Sequence, residues 1–280
     1  MNFLAHIITW INVPMNVLGR FVLAPVAVLP GWLSNTIIAA VTGLLLLIIF
    51  KHTSNQRAIG QVRDNIKANM LALKLFKDSI SVTLQTQARL FKGALQLLLY
   101  AVVPLLVMVV PVSLLLGQLG LWYQSRPLLP GEQTVVIMKL NSKINSPWPQ
   151  VSIESMPAAE VITGPFRIFS KRQICWEIKA LEAGNQPIVF QVETDKIEKE
   201  LVIGDGFMRV SAKRPGWRWS DILRHPAERP FGPDSTVRSI SIDYPARLSR
   251  TSGTDWWLFY FFVVSLVFAL LFRPFLKVKI

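Results

Sequence analysis

The stretch from Gly93 to Ser125 contains no Asp, Glu, Lys or Arg. About 20 consecutive apolar residues cross the hydrocarbon core of a bilayer as a helix, so this stretch is longer than one span needs. Only 17% of the whole chain is charged, against roughly 25% in soluble domains. The sequence therefore predicts an integral membrane protein with a span at 95–121, in which Pro104 and Pro111 are expected to kink the helix.

Two shorter apolar runs predict two further spans. The first covers 31–50 and is followed by Lys51, whereas the second covers 255–273 and has Trp256 and Trp257 near its start. Aromatic residues are enriched where a span meets the membrane–water interface. We therefore expect three transmembrane helices.

The distribution of charge predicts the orientation of these spans. Segment 51–94 carries eight lysine and arginine residues against two aspartates, and the tail at 274–280 adds two lysines with no acid. Short loops rich in Lys and Arg stay in the cytoplasm. The prediction is an inner (plasma) membrane protein of a bacterium, with the N-terminus outside and the C-terminal tail in the cytoplasm.

Residues 1–30 are apolar but are interrupted by three prolines. They have no basic segment of the kind that opens a signal peptide, so cleavage is not expected. We interpret them as an outer interfacial or re-entrant segment, with Trp10 and Arg20 at headgroup level. A fourth span is the alternative.

Segment 122–254 predicts an extracytoplasmic all-β sandwich, for which an immunoglobulin-like arrangement is one candidate. Its short runs of branched and aromatic residues alternate with turn-forming residues. The runs are TVVIMKL, QVSIES, RQICWEIKA, PIVFQVET, KELVIG, FMRVSA and VRSISIDY. Trp176 is expected in the core, and the neighbouring Cys175 is expected to be a small buried apolar residue.

Groups that carry covalent chemistry are sparse. A single cysteine excludes an intramolecular disulfide and a multi-cysteine metal site, and no common hydrolase, metalloprotease or phosphate-loop motif occurs. Asp221, His225 and Glu228 lie at helical spacing, and a solvated helix face explains them more simply than a catalytic site. We expect no catalytic residues, no metal, no cofactor and no enzyme activity.

The basic segment at 51–94 has a heptad pattern. One series of positions is Ile59, Ile66, Leu73 and Ile80, and the second is Val62, Asn69, Phe76 and Thr83. An apolar seam of this kind needs a partner helix. A helical hairpin that turns at 77–79 would supply it within the chain; one long rod and a basic helix lying on anionic lipid are the alternatives.

The segment NQRAIGQVRDNIKANMLALKLFKDS stands between the first span and a proline-containing second span. This arrangement resembles the YidC/Oxa-type membrane protein insertase superfamily. The similarity in shape is to its small three-span branch, which includes archaeal homologues and the third subunit of the endoplasmic-reticulum membrane complex. It covers roughly 30–125 and 255–275, whereas the β domain is an addition and none of the three spans has the internal arginine usual in bacterial members.

The resemblance implies assistance in membrane protein insertion or assembly, through a groove that is open to cytoplasm and lipid. The candidate polar residues of the groove are Asn35, Thr36, Thr42, Gln96, Ser113, Gln118 and Ser265. The candidate cytoplasmic contacts for client chains are Arg57, Arg63, Lys67, Met70, Lys74 and Phe76.

The implied partners are the lipid bilayer and nascent membrane proteins or the ribosome at the hairpin, with no other nucleic acid. The alternative function is that of a non-enzymatic envelope complex subunit whose β domain binds a protein partner.

Overall fold

The computed structural model describes residues 2–75, 80–141, 147–249 and 254–278. The helices are α1 (Asn2–Val22), α2 (Gly31–Thr53), α3 (Gln56–Leu75), α4 (Ile80–Tyr123), α5 (Trp219–Arg224) and α6 (Thr254–Leu276). The strands are β1 (Gln133–Leu140), β2 (Val151–Ile153), β3 (Ala159–Ile168), β4 (Gln173–Ala180), β5 (Gly184–Val192), β6 (Asp195–Ile203), β7 (Lys213–Arg214) and β8 (Val237–Ile242).

Three helices in the described part of the chain are long and apolar enough to cross a membrane. They are Gly31–Thr53, Thr83–Tyr123 and Trp256–Leu276. The prediction of an integral membrane protein with three candidate spans is therefore confirmed. Helix α1 is not among these helices.

The chain forms two compact units. The β unit comprises Met1–Asn35 and Ser113–Tyr260, and the helical unit comprises Thr36–Val112 and Phe261–Ile280.

The β unit contains two antiparallel sheets. One has the strand order β3-β4-β1-β8-β7 and the other has the order β2-β5-β6. Apolar side chains from both sheets form one core, in which the ring centroids of Trp176 and Phe190 are 5.5 Å apart. The predicted separate β region and the core position of Trp176 are thus confirmed, whereas the immunoglobulin-like type stays a prediction.

Strand β3 was not among the predicted strands, because it contains Gly164 and Pro165, which are typical turn residues. The prediction that Cys175 is fully buried was also wrong. Successive side chains of a strand point to opposite faces, so Trp176 occupies the core face of β4 and Cys175 the other, partly exposed face.

The segment 207–212 was expected to be a strand, and that prediction was wrong. Its backbone groups have other partners, since Val210 N–H donates to the carbonyl oxygen of Leu121 at 2.7 Å. The carbonyl oxygen of Ser211 accepts from Lys199 at 2.6 Å. Because the Val210 N–H and the Ser211 carbonyl oxygen already have hydrogen-bond partners in α4 and Lys199, they do not need to pair with a neighbouring strand.

The ends of three helices meet in the β unit. The Ser34 and Tyr123 hydroxyls are 2.8 Å apart, and Asn35 Nδ2 donates to the carbonyl oxygen of Trp257 at 3.3 Å. The rings of Tyr123 and Trp257 stack with centroids 5.8 Å apart. Helix α2 therefore begins, α4 ends and α6 begins at one place next to the β sheets.

Helix α1 packs against α5 and the segment that follows it. Asn12 Nδ2 donates to the carbonyl oxygen of Ile222 at 3.2 Å, and Asn16 Nδ2 donates to that of Pro226 at 2.6 Å. The ring of His6 meets that of Trp217 edge-on at 4.8 Å. The first 22 residues thus belong structurally to the β unit, which the sequence pattern had not indicated.

In the helical unit, glycines mark two close helix contacts. Gly43 of α2 lies against the carbonyl oxygen of Ser265 in α6. Gly93 of α4 lies against Ile66 of α3, with Val62 nearby. In one continuous helix, residues 66 and 93 would be about 40 Å apart, so α3 and α4 are separate helices in contact at this point. The hairpin turn predicted at 77–79 lies outside the described residues.

Candidate functional site

The polar span residues of the β unit contact different neighbours. Asn35 is fully buried and donates to the start of α6. Gln118 is also buried, and its Nε2 donates to Asn16 Oδ1 of α1 at 2.9 Å. Ser113 is half-buried.

The polar span residues of the helical unit bond mainly to their own helices. The Thr42 hydroxyl donates to the carbonyl oxygen of Ile38 at 2.7 Å, and the Ser265 hydroxyl donates to that of Phe262 at 3.0 Å. Both residues are buried. Gly43 follows Thr42 and touches Ser265, so the structure brings these two candidates to one contact between α2 and α6.

Thr36 and Gln96 are half-buried within the helical unit. The convergence of all seven polar residues on one groove stays a prediction. The contact between Gln118 and α1 was missed, because nothing in the spacing of Asn16 along α1 indicates a partner about a hundred residues away.

Helix α3 has one face packed on α4 and another face exposed. Ile59 and Val62 of the heptad seam are buried, and Ile66 touches Gly93 of α4. On the rest of the helix, Arg57, Lys67 and Lys74 are exposed and Arg63 is half-buried.

Apolar side chains accompany these cations near the C-terminal end of α3. Met70, Leu71 and Leu75 are exposed by 57%, 60% and 66%. Phe76, the remaining predicted contact, lies outside the described residues. We call this combination of the exposed cations of α3 with Met70, Leu71 and Leu75 the α3 surface.

The α3 surface has the side-chain chemistry that would suit an apolar segment with polar or acidic flanks. Methionine is flexible and polarisable and adapts to varied apolar partners, while lysine and arginine supply charge at the edge. The ion pair between Lys67 and Asp64 is long, at 3.9 Å, and exposed. Pairs of this kind contribute little to stability, so Lys67 can exchange Asp64 for another partner.

The β unit contains a buried charge network that the sequence pattern did not predict. Lys199 has no exposed side-chain surface, and its Nζ lies 2.7 Å from Glu228 Oε1. The same Nζ donates to the carbonyl oxygens of Ser211 at 2.6 Å and Glu200 at 3.0 Å. The Ser211 hydroxyl donates to Glu228 Oε1 as well.

The expectation that Glu228 lies on a solvated helix face was wrong, because α5 ends at Arg224. Glu228 pairs with Lys199 rather than sharing a helix face with Asp221 and His225. Burial lowers the pKa of Lys199, and the neighbouring Glu228 carboxylate opposes that shift. Because every Nζ donor has an acceptor, this arrangement stabilises the fold and leaves no free nucleophile.

His225 lies in a neighbouring cluster. Its Nε2 is 3.8 Å from Asp221 Oδ1, while Asp221 is held by Lys213 Nζ at 2.7 Å. Burial lowers the pKa of His225 to about 4, with the Asp221 carboxylate opposing the shift and Lys213 adding to it.

We expect the stability of the β unit to fall as the pH drops from 6.5 towards 4. Between pH 6.5 and pH 4, the imidazole of His225 is protonated in the unfolded state, where its pKa is the ordinary 6.5. In the folded protein the same imidazole stays neutral. The expected loss is on the order of 2 kcal/mol. Urea unfolding of the full chain in detergent, followed by tryptophan fluorescence at pH 7 and pH 4.5, measures it. His225→Gln should show a smaller loss, and identical losses in variant and wild type would refute the assignment.

The residues that the structure describes contain no cluster of three or more His, Cys, Asp or Glu that could hold a metal ion. The chain matches no protein-family model, no curated protein and no solved structure. The function is therefore inferred from the geometry of the molecule.

Proposed function

We propose that this protein assists the insertion or assembly of membrane proteins without covalent chemistry. In this proposal it is an insertase-like protein of a bacterial inner membrane, with the N-terminus and the β unit outside and the α3 surface and the C-terminus in the cytoplasm. The observation that carries the proposal is the α3 surface, where apolar side chains stay exposed among cations.

The exposed apolar residues argue for a transient apolar partner. A solvated helix has no need of three large apolar side chains that are each more than half exposed near one end. An incoming transmembrane segment is apolar and has polar flanks, so Met70, Leu71 and Leu75 suit its body and Lys67 and Lys74 suit its flanks.

Polar groups within the spans support the second step, the movement of a hydrophilic segment across the bilayer. A charged side chain at mid-bilayer costs several kcal/mol, and a polar path between helices lowers that cost. Thr42 and Ser265 at the contact between α2 and α6, together with half-buried Gln96 of α4, are the groups of the helical unit that we assign to this path.

Site-specific photo-crosslinking in translating cells tests the proposal. A photo-reactive residue at position 70 should capture nascent membrane proteins of several kinds. Gln61 is the matched control, because it is exposed and lies nine residues away, on the opposite face of α3. Equal capture from both positions, or no nascent chain from position 70, would exclude the α3 surface as a client contact.

Strand β3 favours a second candidate function, that of a complex subunit. It is an edge strand of the five-stranded sheet, and nearly all its residues are exposed, including Ile162 and Phe166. An edge strand presents unpaired backbone donors and acceptors. The occupant that fits both features is an extended segment of a partner protein, added to the sheet beside β3.

A photo-reactive residue at position 166 distinguishes this function from the first. Capture of one fixed protein from position 166, with no nascent chains from position 70, supports the complex subunit. Nascent chains from position 70 alone support the insertase-like function.

A further inference from the structure

A cavity of about 410 Å³ lies in the β unit, where the end of α1, the last turn of α4 and the segment after β6 meet. Two arginines line it, Arg20 from α1 and Arg209 from the segment after β6. Trp122 of α4 and Phe207 form part of its wall.

Arg209 forms no ion pair within 4 Å in the described part of the chain, although the charges of Glu200 and Glu228 act on it. Its Nη2 donates to the neutral Asn16 Oδ1 at 2.9 Å, and its Nε is buried without a hydrogen-bond partner there. Burial lowers the pKa of Arg209, Glu200 and Glu228 oppose the shift, and the nearby Arg20 lowers it further. A largely buried cation beside a second cation is costly unless an anion joins them.

Glu200 is the acidic residue of the cavity wall, and it is already engaged. Its Oε1 accepts from Asn185 Nδ2 at 2.7 Å. It forms no ion pair within 4 Å with either arginine among the described residues. The two guanidinium groups therefore keep a net positive charge at the cavity.

Trp122 adds an unused donor to the same cavity. Its side chain is 7% exposed, and its indole Nε1 is buried without a partner among the described residues. The ring of Phe207 stacks on it with centroids 6.5 Å apart. Unpaired buried donors are rare in folded proteins, so two such donors on residues that line one cavity, Arg209 and Trp122, favour the binding of an acceptor there.

The position of the cavity along α4 indicates which chemical group the acceptor belongs to. Trp122 directly follows the span predicted from the sequence at 95–121, and residues at the end of a span are expected at the level of the lipid headgroups. Guanidinium groups recognise phosphate oxygens with paired hydrogen bonds. An apolar wall beside the cations suits the carbon chain attached to a phosphate ester.

We propose that this cavity binds a phosphate group, held by the guanidinium groups of Arg20 and Arg209 and the indole N–H of Trp122. The phosphate can belong to a phospholipid headgroup or to free phosphate, and the two sources are separated by experiment. The inference does not depend on the proposed function, because it involves neither α3 nor the polar residues of the helical unit.

The test uses the full chain in detergent. Native mass spectrometry measures retained phospholipid after addition of phosphatidylglycerol, and thermal unfolding of delipidated protein measures stabilisation by inorganic phosphate. The variants are Arg209→Gln and Arg20→Gln. The matched control is Arg238→Gln, an exposed arginine on β8 outside the cavity.

Each arginine variant should weaken phosphate-group binding about tenfold, as the loss of one charge-assisted hydrogen bond predicts. Retained phospholipid that is sensitive to both variants identifies the headgroup as ligand. Stabilisation by inorganic phosphate alone, with the same sensitivity, identifies free phosphate.

The proposal is overturned if the wild type binds neither ligand, or if the cavity variants bind as tightly as Arg238→Gln. Should Arg209→Gln prove misfolded by circular dichroism, Arg20→Gln decides alone, because the Arg20 side chain is exposed.

Discussion

Replacement of Glu228 by alanine should destabilise the β unit by about 3–5 kcal/mol, the range found when one partner of a buried ion pair is removed. The substitution leaves the Lys199 ammonium in a site with no exposed side-chain surface and without its carboxylate 2.7 Å away. The Ser211 hydroxyl and the Glu200 N–H lose an acceptor as well. Urea unfolding of the full chain in detergent, followed by tryptophan fluorescence, measures the change.

Two further variants separate the ion pair from other effects of losing Glu228. Glu198→Ala removes an exposed carboxylate from the same strand as Lys199 and should change stability by less than about 0.5 kcal/mol. The double variant Lys199→Met, Glu228→Gln removes both charges and should regain most of the loss. If Glu228→Ala is as stable as wild type, the network does not hold the fold together.

The membrane-spanning part of the fold could be predicted because it depends on local composition. The apolar runs around Gly31–Thr53, Thr83–Tyr123 and Trp256–Leu276 are long enough to cross a bilayer whatever they pack against. The heptad pattern of α3 also predicted which face of this helix is packed, since Ile59 and Val62 are buried and Ile66 touches α4.

The errors in the β unit have tertiary causes. Strand β3 includes Gly164 and Pro165, which are typical turn residues, and an edge position tolerates them. The run FMRVSA has the composition of a strand, but Val210 bonds to the end of α4 instead. In both cases the outcome depends on neighbours that are distant in sequence, and local propensity cannot specify them.

The residues of the candidate sites also fall into two groups: those that the local sequence pattern predicts and those that depend on neighbours distant in sequence. Exposure of Met70 beside cations follows from the period of one helix, so the sequence pattern was sufficient. The contacts of Glu228 with Lys199 and of Arg209 with Asn16 join residues 29 and 193 positions apart. A single sequence contains no signal for such pairs, because neither the spacing nor the residue type distinguishes them from solvated surface charges.

The close contact between α2 and α6 makes Gly43 sensitive to substitution. Gly43→Ala would place a Cβ atom far closer to the Ser265 carbonyl oxygen than the van der Waals contact distance of the two atoms allows. That oxygen belongs to the backbone and cannot rotate away, so the two helices must separate. Small residues allow membrane helices to approach closely, and overpacking of such a site typically costs about 1–3 kcal/mol. We expect a loss near the upper end of this range.

Thermal unfolding of the purified full chain in detergent measures the effect, with Gly120→Ala as the matched control. Gly120 is also a helical glycine in a candidate span, and a Cβ there would meet only Gln124 Oε1, at an ordinary 3.6 Å. Because alanine favours helix over glycine by up to about 1 kcal/mol, the control should be neutral or stabilising. If both variants behave alike, α2 and α6 do not pack through Gly43. A destabilised Gly43→Ala that also loses nascent-chain capture at position 70 would link the α2–α6 contact to the proposed insertase-like function.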